Sequence, residues 1–223
     1  MTAGESSEST VPRTLPRGRH DLDGSVVRES QRVRMLEAMV SLSAEQGYAA
    51  TSVADVIARS GVSRKSFYEH FANKEDCFLA AYERGVKDLA GRIAVAVQES
   101  EAAGVELVRV AVGAYIDSLV AMPDFARILA IEALAAGPVV RKRRDEGFER
   151  FIELYRNLYN RSREQDPGLP ELDESIFVAA IGAVAELIRR TVSLHGPGGL
   201  QDVKESAIEI TASLLHPPPT PAK

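Results

Sequence analysis

The sequence predicts an all-α protein. Apolar residues recur at three- and four-residue spacing along most of the chain. Glycine and proline fall where those stripes stop. No stretch alternates apolar and polar as a half-buried strand would, and no segment repeats. About nine helices are expected. The chain has 223 residues, enough for one large or two small domains with ample core.

Residues 1–27 are dominated by Ser, Thr, Glu, Gly and Pro and read as a disordered arm. Arg13, Arg17 and Arg19 are spaced through it. The segment is polar, so it is not a signal peptide. Val27 to Gln46 reads as the first helix, with Val33, Leu36, Met39, Val40 and Ser43 at helical spacing and Gly47 as its stop.

Thr51 to Glu75 then holds two short helices, a tight turn and the start of a third. Thr51 or Ser52 caps the first, because a hydroxyl there accepts from the free N–H groups of the opening turn. Val53, Val56 and Ile57 form its apolar stripe. Gly61 supplies the left-handed stop, and Val62 plugs the corner. Ser63 caps the second helix, which carries Phe67 and Phe71 inward. Its other face is Arg64, Lys65, Ser66, Tyr68, Glu69 and His70. Short cationic and hydrogen-bonding side chains on a rigid apolar back are what a helix-turn-helix needs to read the major groove. Spacing alone fits equally an ordinary helical corner with a solvated outer face. Asn73 caps the third helix, with Asp76 three residues on, and Lys74 beside the free N–H groups makes a candidate phosphate clamp.

The detail goes further than the spacing. Gln46-Gly47-Tyr48, Thr51-Ser52-Val53, Ser60-Gly61-Val62-Ser63, Phe67-Tyr68, His70-Phe71 and Asn73-Lys74-Glu75 together resemble the TetR family of transcriptional regulators. The resemblance runs from about Gln31 to Tyr82. It implies an N-terminal three-helix DNA-binding domain, here residues 28–88 with the helix-turn-helix at 52–71. A long helix would join it to a helical ligand-binding and dimerisation domain, here residues 89–215, before a tail at 216–223. It implies a sequence-specific DNA-binding regulator, expected to repress as a homodimer on a palindromic operator and to be released by a small molecule. The alternative is an all-helical ligand carrier or enzyme that uses the helix-turn-helix as scaffold.

Chemistry and the family motif together assign roles. Arg64 and Lys65 are expected to read guanine O6 and N7. Ser66 and Tyr68 would donate to phosphates, with Tyr68 also near a thymine methyl. His70 and Lys74 join the phosphate side, Ser63 belongs to the DNA-binding set as the cap, and Thr51 or Ser52 would hold the opposite strand. Glu69 departs from the neutral or aromatic residues frequent there; it would accept from cytosine N4 or repel the backbone. Lys65 stands where the family often has a small residue. The arginine arm could reach a neighbouring minor groove.

Beyond Asn73 the helices are read from stripes and stops. Asn73 to Ala103 is a long helix with Phe78, Ala81, Tyr82, Val86, Leu89, Ile93 and Val97 inward, broken by Gly104. Val105 to Met122 follows, apolar at Leu107, Val110, Ala111, Ala114, Tyr115 and Leu119, and Pro123 ends it. Asp124 to Ala136 is a short helix closed by Gly137-Pro138. Val139 to Arg163 carries Phe148, Phe151, Ile152, Tyr155, Leu158 and Tyr159. Its opening Arg141-Lys142-Arg143-Arg144 reads as a solvated helix end balanced by Asp145, Glu146 and Glu149, with a second DNA patch as the alternative. Glu171 to Leu194 has a small face of Ser175, Ala179, Gly182 and Ala183 leading to Glu186. Leu200 to Leu215 completes a hairpin with Val203, Ala207, Ile210 and Leu214 on one side. In the family, the corresponding pair (171–194 and 200–215 here) makes the dimer interface.

A ligand site is less defined. Tyr115, Phe125, Phe148, Phe151, Tyr155 and Phe177 could line an apolar pocket, or be ordinary core. Glu132, Glu186 and Arg189 are its candidate polar anchors.

Composition sets outer limits. The balance of 27 Lys/Arg against 32 Asp/Glu excludes a generic nucleic-acid coat. Residues 1–74 hold ten against nine, the rest seventeen against twenty-three. That suits placed phosphate contacts on an acidic body. One cysteine, Cys77, precludes an internal disulfide and suits the cytoplasm. It reads as a small core residue, with redox sensing as the other use of its capped helix start. The longest apolar run, Ile176 to Ile188, is too short to cross a membrane and contains Glu186. His20, His70, His195 and His216 are scattered. With no metal spacing and no nucleophile elbow, no cofactor, metal or catalytic residue is expected.

Overall fold

Capping and stop residues punctuate the first four helices. A computed structural model describes residues 24–165 and 167–215, with the side chain of Gln165 outside that set. The expected arm with Arg13, Arg17 and Arg19, apart from its last residues, lies outside the described residues, as does the tail at 216–223. Helices α1 (Gly24–Gln46), α2 (Val53–Ser60), α3 (Arg64–His70) and α4 (Lys74–Glu99) come first. Then come α5 (Gly104–Ala121), α6 (Pro123–Arg127), a π-helical stretch (Ile128–Glu132), α7 (Ala133–Ala135) and α8 (Pro138–Gln165). Finally, α9 (Glu174–His195), a 3₁₀ turn (Pro197–Val203) and α10 (Lys204–Leu215) close the described chain. The backbone stays helical through α6, the π stretch and α7, so these form one rod and the helical rods among the described residues number nine. There is no strand among the described residues.

In α1 the buried stripe is Met35, Leu36, Ala38, Met39, Leu42 and Ser43. It is centred nearer Met35 than Val33, which is only half-buried. The helix also starts three residues before Val27, which places Arg28 and Arg32 on its first turns. It packs across α2 and α4. Gly47 turns the chain in a left-handed conformation at φ 86°.

The long α4 ends at Glu99 rather than Ala103. Ser100 leaves the helical region, and its hydroxyl accepts from the Ala102 N–H. Gly104 opens α5 instead of closing α4, at φ 58°. The buried face of α5 is Val108, Val112, Ile116 and Leu119; Leu119 is on the expected stripe, and the other three lie one residue past Leu107, Ala111 and Tyr115. This helix is apolar nearly all round, so its periodicity cannot choose a face. Pro123 both ends α5 and starts α6 at a position where its missing N–H costs nothing.

Helix α9 begins at Glu174, three residues later than expected. Asp173 caps it by accepting from the Ser175 N–H. The glycine-rich Pro197–Val203 segment holds a 3₁₀ turn, so α10 starts at Lys204 rather than Leu200. Its buried residues are Ala207, Ile208, Thr211, Ala212 and Leu215; Ile210, expected inward, faces out. Helices α5, α9 and α10 pack together, and α4 lies along α5. No helix among the described residues is long and apolar enough to cross a membrane.

Candidate nucleic-acid interface and ligand cavity

The α2–α3 corner is held by short local bonds. Ser52 and Asp55 form a full capping box: the Asp55 N–H donates to the Ser52 hydroxyl, and the Ser52 N–H to the Asp55 carboxylate at 2.8 Å. The Ser52 hydroxyl, 2.7 Å from that carboxylate, and then the Ser52 N–H hold the Asp55 carboxyl below its usual range. Gly61 ends α2 at φ 64°, and its N–H donates to the Ile57 carbonyl. Arg34 of α1 donates to the Ser60 carbonyl at 2.8 Å, closing the C-terminus of α2. Ser63 caps α3 by accepting from the Ser66 N–H at 3.0 Å. Beneath, Val56 and Phe67 are fully buried, Phe71 and Val62 nearly so. Cys77 and Phe78 seal the same core. Burial pushes the Cys77 thiol up to about 12, so it is a packed thiol rather than a thiolate.

The outer face of α3 brings most of the expected residues together. Ser63, Arg64, Lys65, Tyr68 and Glu69 are exposed there, with Ser52 exposed on α2. The Arg64 guanidinium lies 5.7 Å from the Tyr68 ring centroid. Lys65 and Glu69 pair at 3.8 Å, one turn apart. Ser66 is half-buried, with its hydroxyl 3.1 Å from that of Ser63.

Three expected residues sit elsewhere. Thr51 is 1% exposed and donates its hydroxyl to the Gly47 carbonyl, so the hydroxyl at the surface is that of Ser52. Lys74 turns inward: its ammonium donates to the Tyr48 carbonyl at 2.9 Å and lies 4.1 Å from the Tyr48 ring centroid. His70 is half-buried, with Nε2 sealed and unpartnered. Burial, reinforced by Arg28 and Arg32, lowers the His70 pKa from its ordinary value. Those two arginines of α1 went unassigned in the sequence reading. Arg32 also lies over the Phe71 ring at 4.9 Å. Their four-residue spacing on a helix that starts before Val27 was the signal available.

The second feature is a cavity of about 300 Å³ between α4, α5, the π stretch, α8 and α9. Tyr115, Phe148, Phe151, Tyr155, Glu186 and Arg189 line it, as expected of a pocket. Tyr82, Val86, Leu89 and Ile93 of α4 supply another wall, and Arg144 borders it. Glu186 and Arg189 are paired to each other at 2.6 Å. Phe125 and Phe177 are not part of the lining. Phe125 stacks near Tyr82 at 6.3 Å and covers Gly85, where a Cβ would meet its ring at 2.1 Å. Phe177 packs edge-on against Tyr159 at 5.9 Å. Glu132 is not a pocket anchor either. It is buried, and its carboxylate accepts from the Tyr48 N–H at 2.8 Å.

That contact joins the two features. Leu129 and Ala130 of the π stretch line the cavity, and Glu132 of the same stretch holds the loop between α1 and α2. Arg127 lies 3.6 Å from the other Glu132 oxygen. Lys74 holds the carbonyl of the residue whose N–H Glu132 takes. Sequence could not show this, since Tyr48 and Glu132 are 84 residues apart.

Residues 35–81 match the family model of bacterial regulatory proteins, tetR family. The chain is similar to the HTH-type transcriptional activator FasR of Mycolicibacterium smegmatis, at 28% identity over 83 residues. That stretch is 37% of this chain and spans 38% of FasR's length. In fold it is similar to the fatty acid degradation regulator FadR from Bacillus halodurans, with a TM-score of 0.72 at 20% identity over 83% of this chain and 94% of that one. It is similar also to FadR from Bacillus subtilis in complex with stearoyl-CoA, with a TM-score of 0.70 at 19% identity over 82% and 99%. Residues 35–81 thus match the DNA-binding domain of the tetR family of bacterial regulatory proteins, and the fold around them is similar to that of these regulators.

Proposed function

We propose that the protein represses transcription as a homodimer on a palindromic operator and is released when an apolar small molecule enters the cavity. The observation that carries the DNA reading is the outer face of α3, where Arg64, Lys65, Tyr68 and Glu69 are exposed on a core that leaves Phe67 and Phe71 no freedom. Arg64 and Lys65 take base edges, and Ser52, Ser63, Ser66 and Tyr68 take phosphates. Arg28 and Arg32 extend the positive surface beside α3. Lys74 is a positioning residue at the junction in this reading, because its charge is already spent on Tyr48.

One helix-turn-helix reads few base pairs, and dimers of the motif present two recognition helices roughly 34–36 Å apart. The faces of α9 and α10 support a dimer. Val178 is 49% exposed, Leu194 61% and Ile210 38%, beside the exposed small residues Ser175, Ala179 and Gly182. A second copy would cover that surface.

For the effector, support comes from a cavity whose wall includes α4, the helix that continues from the α3 corner. The fold-level likeness to a FadR in complex with stearoyl-CoA makes a long-chain acyl compound the first class to try. The cytoplasm, where DNA lies, is the compartment this reading requires.

The test is fluorescence anisotropy with the DNA upstream of the protein's own gene, across a salt series and against a scrambled duplex. The expected result is salt-dependent, saturable binding to a palindromic segment with weak binding to the scramble. Equal affinity for both duplexes at every salt concentration, on these and on selected genomic fragments, would remove the regulator reading.

A further inference from the structure

The cavity wall is apolar except at its rim and at three phenols. Tyr82 of α4, Tyr115 of α5 and Tyr155 of α8 all line it. None of their hydroxyls has a hydrogen-bond partner among the described residues, nor is any sealed off from open space. Three phenols on an otherwise aliphatic wall therefore present their hydroxyls to whatever fills the cavity. Burial, with Tyr82 and Tyr155 adding to it, makes the Tyr115 hydroxyl harder to ionise. Burial pushes Tyr82 and Tyr155 up to about 12, so all three remain neutral O–H donors at any working pH. Around them Val86, Leu89, Ile93 and Ile188 offer only aliphatic surface.

From this geometry we infer that Tyr82, Tyr115 and Tyr155 form a donor cluster that takes the carbonyl oxygen of an aliphatic acyl ligand inside the cavity. The phenols donate, the carbonyl accepts, and the chain fills the aliphatic wall. Arg144 borders the same space, with its guanidinium 4.4 Å from the Phe148 ring centroid, so a free carboxylate has a cation within the site. An ester or thioester carbonyl would need only the phenols. Because Tyr82 lies on α4, the bond also reaches the helix that carries the DNA-binding corner. The inference rests on the cavity being the effector site.

The binding test displaces a fluorescent apolar dye from the full chain with methyl decanoate, decanoate and decane. Methyl decanoate should displace the dye at about tenfold lower concentration than decane. Tyr115→Phe and Tyr82→Phe should each erase most of that advantage and leave decane unchanged. If decanoate outcompetes the ester and Arg144→Met removes the difference, the physiological carbonyl is that of a free acid; if the ester is tighter, it is that of an ester or thioester. Equal displacement by ester and decane, or Phe variants that change neither, overturns the donor cluster while leaving the cavity as effector site. A protein that binds dye but is displaced by none of the three overturns the acyl effector reading as well.

Discussion

The α2–α3 corner and the cavity bordered by α4, α5, α8 and α9 are built in opposite ways. The corner is held mainly by bonds between residues three or four apart, the Ser52–Asp55 box, the Gly61 stop and the Ser63 cap, with Arg34 of α1 as the long-range addition. Its core is full, with Phe67 at 0% exposure under the α3 face. The cavity, of about 300 Å³, is made by residues from helices far apart in the chain. A surface that must match a fixed duplex gains from rigidity, and short-range bonds supply it. A site that must admit and release a molecule needs room, and room is left by long-range packing. On the proposed function, the difference separates a reading element from a sensing element within one fold.

The strongest way to break that comparison is to empty the full core. Phe67→Ala should cost about 3–5 kcal/mol in chemical denaturation, since it removes a completely buried ring from a packed site. Operator binding should be lost while the cavity still takes up an apolar dye. Loss of both together would mean that the two regions unfold as one unit.

Next in size is the tie between them. Glu132→Ala leaves the Tyr48 N–H without its acceptor and should destabilise by about 1–3 kcal/mol. Leu129 and Ala130 lie on the cavity three and two residues before it, so the ligand-induced drop in operator affinity should shrink as well. A variant that loses stability but keeps the full ligand response would make Glu132 a structural tie alone, and the coupling would then have to pass through α4.

Legibility follows the same division. The corner was readable because capping and stop chemistry is local: Ser63, Gly61 and Asn73 announce themselves within four residues. The face of α3 followed once Phe67 and Phe71 were placed inward. Thr51 and Ser52 could not be told apart, since both carry a hydroxyl and only the tertiary fold buries one of them. Lys74 looked free because Tyr48, its partner, lies across the loop between α1 and α2. In the second region, α5 is apolar nearly all round, and most of its buried face was misjudged by one residue. Phe125 and Phe177 matched Phe148 and Phe151 in composition and helical setting; which of them borders the cavity is decided by the neighbouring helices, beyond the reach of any window of sequence.

Lys65→Ala sharpens the reading side. It should cost about 1–3 kcal/mol on the preferred operator and relax the preference at one base pair. The exposed Lys65–Glu69 pair adds little of its own to fold stability, so the melting temperature should hardly move. A loss that is equal on every duplex would make Lys65 a phosphate contact instead.

The smallest effect comes from His70, where the two demands meet in one side chain. Its folded pKa lies below the ordinary 6.5, so between the two values the unfolded chain holds more protons than the folded one. Stability should therefore fall as pH drops through about 6.5 and level off below the folded pKa, a loss that His70→Asn abolishes. DNA reverses the bias. A phosphate beside the ring would favour the imidazolium, and complex formation would then take up a proton, so operator affinity should rise between pH 7 and pH 6 while the free protein becomes less stable. Affinity that stays flat across that range in the unaltered protein would place His70 away from the phosphates. The sealed Nε2 would then be part of the packing against α1, and Arg28 and Arg32 would carry the contact at that end of α3.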